Sequence, residues 1–357
     1  LLLTGCSSLL ENPYAVVEPH TERPATAEDS SAVQAGTYSE LVNTVLFFVS
    51  QGTEKGLIQL TDDYDGDVEE DLNRACLEVA KDDPLGAYAV DFIKNDCTKV
   101  LTTYEATITI SYRRTREQIR SLVNVTGTSA IRDEVRAALA DFQSEVALRV
   151  GYFTESADSI AALVRQAYYD EPAGALGMPE FTVSLYPASG GQQRIVEILL
   201  TYPEDTQALR QKSDDLQSTA DALVLPLRPH QLSPSARQAE LFSLVREHVR
   251  ARPDGGSTAW DALLGDGADS EGLALAMALV CQYLDIPCQV VQGTQAGEPH
   301  FWNVVSLGEF WRHLDLTGWG QQNPSLFTDE AFQTAGYTWD TALVPPCRTF
   351  DTTAEGT

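Results

Sequence analysis

The sequence predicts an α+β protein of two globular domains behind a flexible leader, and three observations carry that prediction. The chain has 357 residues, 43% of them hydrophobic, enough for two cores of ordinary size. Its middle alternates helix-period and strand-period runs in what reads as a diverged internal repeat, with DDPLGA at 82–87 echoed by DEPAGA at 170–175. Its last third sets one long apolar helix pattern before three strand patterns. The predicted segments are a leader and tether over 1–36, an N-terminal α+β repeat domain over 37–228, and a second α+β domain over 229–357.

The first residues, LLLTGC, resemble the end of a bacterial lipoprotein signal peptide, with small residues before Cys6. The resemblance implies cleavage before Cys6 and acylation of its thiol. Buried acyl chains contribute about 0.8 kcal/mol per methylene, so two or more give a stable anchor. Residues 7–36 are rich in Ser, Thr, Ala, Glu and Pro, a composition that buries no core and reads as a tether. The expectation is an extracytoplasmic lipoprotein held to the bacterial cell membrane through Cys6.

In the repeat region each copy reads as helix, strand, strand, helix. The first copy has EEDLNRACLEVA, then EATITISY and QIRSLVNV, then a helix over 129–149. The second has ADSIAALVRQAYY, then FTVSLY and QRIVEILLTY, then a helix over 205–222. No catalytic pattern stands out here. YRRTRE at 112–117 is a local basic patch, read as an exposed hairpin turn with salt-bridge partners. DDYDGDVEED at 62–71 has the alternate aspartates of a calcium loop, but Gly66 falls at the fourth position instead of the sixth and Arg74 at the twelfth. It reads as the acidic start of the following helix.

Composition narrows the function. With 24 basic and 52 acidic side chains the net charge is −28, which repels nucleic-acid phosphates and anionic lipid surfaces. No uninterrupted apolar run reaches the roughly 18 residues of a membrane span. Besides Cys6 there are Cys76, Cys97, Cys281, Cys288 and Cys347. Pairings such as Cys288–Cys347 and Cys76–Cys97, or buried free thiols, stay open. No cysteine or histidine spacing suggests a metal, and no cofactor is expected.

The last third offers chemistry. LSPSARQAELFSLVREHVRAR reads as a helix capped by Ser233, with Pro234 at its first position. TAWDALLGDGAD then leads to GADSEGLALAMA at 267–278, where Ser270 sits on the first turn of a helix with apolar residues at 273, 277, 280, 281 and 284. Three strands follow, CQVVQG, HFWNVVSL and EFWRHLDL. A turn centred on Leu307-Gly308 makes hairpin partners sum to 615, which sets His300 opposite Asp315. A hydroxyl at a helix N-terminus, a histidine and a carboxylate that can orient it are the parts of a nucleophilic triad.

The order of these motifs resembles the transglutaminase-like superfamily, whose core is a papain-like α+β fold. GADSEGLALA, DIPCQVVQG, HFWNVV and WRHLDLT follow its pattern across about residues 235–340. The resemblance implies that His300 is the general base and Asp315 its orienting partner, with Trp302 and Asn303 on the strand beside the site. The nucleophile position falls on Ser270, where the family has cysteine. A thiol at a helix N-terminus beside a histidine ionises near neutral pH, whereas a serine hydroxyl must be deprotonated during attack. The preferred reading is a degenerate Ser270-His300-Asp315 triad, a pseudoenzyme whose cleft binds a peptide, cell-wall or protein ligand. The alternatives are an active serine acyl hydrolase or transferase, and a serine that only caps its helix. Trp260, Trp302, Asn303, Trp311 and His313 are the candidate cleft residues. The tail at 327–347 is expected to pack on this domain through Trp339.

Overall fold

The computed structural model describes residues 32–227, 234–307, 310–317 and 326–348. The expected acylation site at Cys6, most of the expected tether, the helix cap expected at Ser233 and part of the turn expected at Leu307-Gly308 lie outside the described residues. The chain divides into two compact units. One comprises Leu1–Gly127, Ala147–Glu155 and Ser184–Glu197, the other Thr128–Val146, Ser156–Val183 and Ile198–Thr357. Residues 229 onward fall wholly in the second unit.

The chain opens with β1 (Ala32–Ala35), α1 (Tyr38–Gln51), β2 (Lys55–Leu60), α2 (Val68–Lys81), α3 (Pro84–Ala89), β3 (Val90–Val100), β4 (Thr103–Tyr112) and α4 (Arg116–Arg120). Their strands form a sheet of order β1-β2-β4-β3, with β1 parallel to β2 and the other pairs antiparallel. Leu41, Val45 and Val49 of α1 and Leu72 and Val79 of α2 pack with Ile58, Leu60, Ala106 and Ile108 of the sheet, all at most 1% exposed. Each such side chain contributes about 1.5–3 kcal/mol when fully buried. The acidic stretch before α2 acts as expected. Asp67 caps the helix by accepting from the Glu70 N–H at 3.0 Å, and Glu69, Glu70 and Asp71 fill the first turn.

YRRTRE is not a hairpin turn. Thr115 and Gln118 make a reciprocal capping box at the start of α4, and the arginines are used structurally. Arg113 donates to the Val90 carbonyl, Arg114 pairs with Glu197 at 2.6 Å, and Arg116 donates to the Gly52 carbonyl at 2.9 Å.

Next come β5 (Val123–Thr126), α5 (Gly127–Ala140), β6 (Glu145–Gly151), α6 (Ala157–Asp170), β7 (Glu180–Tyr186), β8 (Arg194–Thr201) and α7 (Thr206–Val224). The sheet order is β5-β6-β8-β7, with β5 parallel to β6. Strand, helix, strand, helix, strand, strand thus occurs twice with one strand order, the short α3 being an addition in the first copy. The likeness is one of topology, and a diverged sequence repeat is not shown. The expected correspondence also needs correcting. EATITISY is β4, the last strand of its sheet, whereas FTVSLY is β7, the third; QIRSLVNV splits into α4 and β5; and the helix expected to 149 ends at Ala140, where β6 follows.

The remainder comprises α8 (Pro234–His248), β9 (Ala251–Gly256), α9 (Ala259–Leu263), α10 (Ser270–Tyr283), β10 (Cys288–Gln295), β11 (Glu298–Leu307), β12 (Phe310–Leu314), α11 (Asp329–Thr334) and β13 (Tyr337–Trp339). The sheet is antiparallel with order β12-β11-β10-β13. Gly272 to Cys281 of α10 are all buried, so this helix is enclosed on every side and not along one stripe alone. The five described cysteines are free thiols. Cys281 and Cys288 are neighbours, and Cys347 packs instead beside Asp329, whose Oδ2 accepts its backbone N–H at 3.0 Å. No helix among the described residues is long and apolar enough to cross a membrane.

Candidate functional site

The site is built where the N-terminus of α10 meets β11. Asp269, not Ser270, caps the helix. Its Oδ1 accepts from the N–H groups of Glu271 and Gly272 at 3.0 and 3.1 Å, and its Oδ2 accepts the Ser257 hydroxyl at 2.6 Å. Ser270 is therefore released from capping and occupies the first helical position. Gly272 is required just behind it, because a Cβ there would lie 2.7 Å from the Thr258 carbonyl oxygen and 2.6 Å from the Ala268 Cβ.

Ser270 Oγ accepts a 3.3 Å hydrogen bond from the backbone N–H of Phe301. Pairing of β11 with β12 stops at Asn303↔Leu314, and Phe301 lies beyond that end. The serine hydroxyl thus satisfies an edge N–H that the sheet leaves unpaired, and it brings the helix start to the residue after His300.

His300 and Asp315 meet, although by a register other than the expected one. Partners in the β11–β12 hairpin sum to 617, as in Val304↔His313, so His300 lies diagonally from Asp315. The diagonal still lets His300 Nε2 donate to Asp315 Oδ2 at 2.8 Å. Three further donors fix the carboxylate. The Tyr337 hydroxyl reaches Oδ2 at 2.6 Å, and the Thr317 N–H and hydroxyl reach Oδ1 at 2.8 and 2.7 Å. Burial opposes the charge on Asp315, yet hydrogen bonds from His300, Tyr337 and Thr317 together hold its carboxyl below the usual carboxylate range. With Nε2–H spent on this acceptor, the Nδ1 lone pair of His300 is left as the base.

The expected cleft residues divide. Trp302, Asn303 and His313 are 0% exposed and line no open cleft. Asn303 faces α10, donating to the Ala274 carbonyl at 2.9 Å. Trp302 joins an aromatic cluster with Phe332, Tyr337 and Trp339, with ring centroids 5.3–5.9 Å away. Gly293 admits that ring, since a Cβ there would sit 2.5 Å from it and 2.1 Å from the Thr338 carbonyl oxygen. Trp311 is half-buried against the same cluster. Trp260 is on α9 with the Lys212 ammonium 5.5 Å from its ring centroid, and takes no part in the cluster. Trp339 packs as the tail's anchor, 4.5 Å from the His313 ring.

His313, Asp329 and Cys347 lie close enough to suggest a cation site. The donor chemistry argues against it. Trp302 Nε1–H donates to His313 Nδ1 at 3.0 Å, which fixes the ring proton on Nε2, and Nε2–H donates to Asp329 Oδ1 at 2.9 Å. No ring lone pair is left for a metal. Burial pushes the His313 pKa down, in keeping with a neutral ring.

Two residues that sequence reasoning passed over flank Ser270. Glu271 is half-buried, its carboxyl pKa raised by burial and then by Asp269, and its Oε1 accepts the Tyr169 hydroxyl at 3.0 Å. The Tyr169 ring packs on Phe301 at 5.6 Å. Tyr337 and Tyr169 lie far from the motif in sequence and gave no signal, whereas Thr317 stands in the quoted WRHLDLT.

Residues 222–316 match the Transglutaminase-like superfamily. A solved structure described as "Crystal structure of a TGase" is similar at 15% identity and a TM-score of 0.25, covering 64% of this chain and 67% of that one. Comparison with curated proteins finds no match.

Proposed function

Starting from a chain that carries a transglutaminase-like domain at residues 222–316, we propose a catalytically degenerate, ligand-binding protein, anchored by lipid at Cys6 and working outside the bacterial cytoplasmic membrane. The observation that carries the degenerate reading is at Ser270. The position that would hold a thiolate holds a hydroxyl, and that hydroxyl is employed as acceptor for the Phe301 N–H. A weakly acidic alcohol in that bond lacks the stable ion pair that a thiol forms with imidazole. The ligands in view are peptides, cell-wall material or a protein partner.

One observation favours a second reading, an active serine acyl hydrolase or transferase. His300 keeps a fully hydrogen-bonded orienting carboxylate, the arrangement a general base uses. The test is peptide hydrolysis and amine transfer to glutamine-containing peptides by wild type, Ser270→Ala, Ser270→Cys and His300→Ala. A silent wild type with activity gained in Ser270→Cys is expected. Wild-type activity lost in both alanine variants would overturn the degenerate reading.

A further inference from the structure

The second unit contains a cavity of about 560 Å³, inside the range of about 300–1,000 Å³ typical of ligand pockets. It lies along one side of β10, at Gln289 to Gln292, and is closed by α6 and by the chain segment that follows β13. The edge explains why there is a gap. β13 pairs with β10 only from Gly293 to Gln295, and then the chain peels away.

The hydrogen bonds define which peptide groups face that gap. Pro287 accepts from Ser306 of β11 at 2.8 Å, whereas Ala296 donates to Gly336 on the other side at 3.0 Å. Since the strand alternates, the N–H and C=O groups of Val290 and Gln292 point away from β11 into the cavity. No hydrogen bond among the described residues joins these main-chain groups to the segment 340–344, which is tied to β10 at the end of the slot by Gln289 Nε2 donating to the Leu343 carbonyl at 2.8 Å. An open stretch of strand edge therefore forms one wall.

The other walls select a ligand. Arg165 on α6 rests its guanidinium 5.4 Å from the Phe181 ring centroid and has no ion-pair partner among the described residues, in a chain of net charge −28, while Arg132 is already paired with Asp170. Leu343, 55% exposed, supplies an apolar rim. The Tyr169 ring completes the cavity, and its hydroxyl is the one bonded to Glu271 beside Ser270.

We propose that an extended peptide bearing one carboxylate adds as a strand to β10, pairing its main chain with Val290 and Gln292 and placing the carboxylate on Arg165. Main-chain pairing gives affinity, and the arginine gives selectivity. This deepens the binding reading above by naming the ligand class, and it does not require catalysis at Ser270.

The test uses the full chain and a positional-scanning library of fluorescein-labelled hexapeptides, with Glu, Asp or Gln fixed at each position, read by anisotropy. Free-acid and amidated C-termini separate a terminal from a side-chain carboxylate. Binding is expected to weaken tenfold or more in Arg165→Gln and with Gln in place of Glu, without adding when both are changed. N-methylation of alternate peptide amides is expected to abolish it. Gln292→Pro removes only an outward N–H and is expected to weaken binding with the β10–β11 ladder intact. Equal binding of N-methylated peptides, unaltered affinity in Arg165→Gln, or no binding by any library member would overturn the slot. Binding lost in Ser270→Ala or His300→Ala but kept in Arg165→Gln would overturn the slot while leaving a peptide-binding cleft in place.

Discussion

Replacing Ser270 with cysteine asks whether the surroundings still favour a thiolate, and the question needs no substrate. A free thiol has a pKa of about 8.5, lowered to roughly 3.5–7.5 at helix N-termini or beside imidazolium. Residue 270 begins a helix of 14 residues and adjoins the His300 strand. Asp269 opposes a negative charge there, but its carboxylate is held by two helix N–H groups and by Ser257. Glu271 has a raised pKa and so opposes it less. A drop of about two units, to roughly 6.5, is the expected balance. At pH 6.5 that takes the thiolate from about 1% to about half, a fiftyfold gain, of which lower intrinsic nucleophilicity removes roughly eightfold. The assay is iodoacetamide labelling across pH, read by peptide mass spectrometry so that each cysteine is followed separately. Burial raises the Cys76 pKa to about 11 and that of Cys347 to about 12, so these react slowly and serve as internal references. The midpoint for Cys at 270 is expected near 6.5, rising by a unit or more when His300→Ala is added. A midpoint at or above 8.5, or one indifferent to His300, would refute the view that this helix start still forms a thiolate site.

Three other outcomes follow from the packing and charges. Phe332→Ala empties a 1%-exposed position whose ring stacks on Tyr337 at 3.7 Å, and should cost about 3–5 kcal/mol, read from urea unfolding by tryptophan fluorescence. Asp269→Ala removes the α10 cap and should cost about 0.5–2 kcal/mol in the same experiment. Acid should destabilise the fold in two windows. His313 has a folded pKa below its unfolded value of about 6.5, so as pH falls below 6.5 the unfolded chain takes up a proton that the folded one refuses. Stability then drops by up to about 1.4 kcal/mol per pH unit, a slope that His313→Gln should flatten. Asp315, whose folded pKa is depressed, contributes stability above its unfolded pKa of about 3.9 that is lost as pH falls through the folded value. Equilibrium unfolding at half-unit pH steps separates the two.

Elements with strong periodicity were readable from residues alone. α10, β10 and β11 announce themselves by an apolar helix pattern and by β-branched runs, and α7 and α8 by their stripes. Four-residue edge strands such as AVQA and VNVT are too short to show a period. β3, VDFIKNDCTKV, is mostly exposed and polar, so its alternation carries little apolar contrast. β6 follows α5 with no proline or glycine between them, and EVALRVG read as more helix. Within the site, His300 and Asp315 were legible because one hairpin holds both. The two-residue register error reflects a turn centre that sequence does not fix. Tyr169 and Tyr337 reach the site only through tertiary packing, which local patterning does not encode.

The hairpin also has a consequence for the order in which the site comes together during folding. His300 and Asp315 are 15 residues apart, whereas the Gly293↔Trp339 pairing that brings in β13 closes a loop of 46. By loop-closure entropy the longer connection costs about 1 kcal/mol more, beyond the cost of ordering α11 on the way. The imidazole–carboxylate pair belongs to a local unit that can form early, and the Tyr337 hydroxyl completes it only when the C-terminal segment docks. Pulse-labelling hydrogen exchange should therefore protect the β11 amides before those of β13. A nascent chain still lacking residues beyond about 320 would already hold its histidine and carboxylate side by side, one donor short.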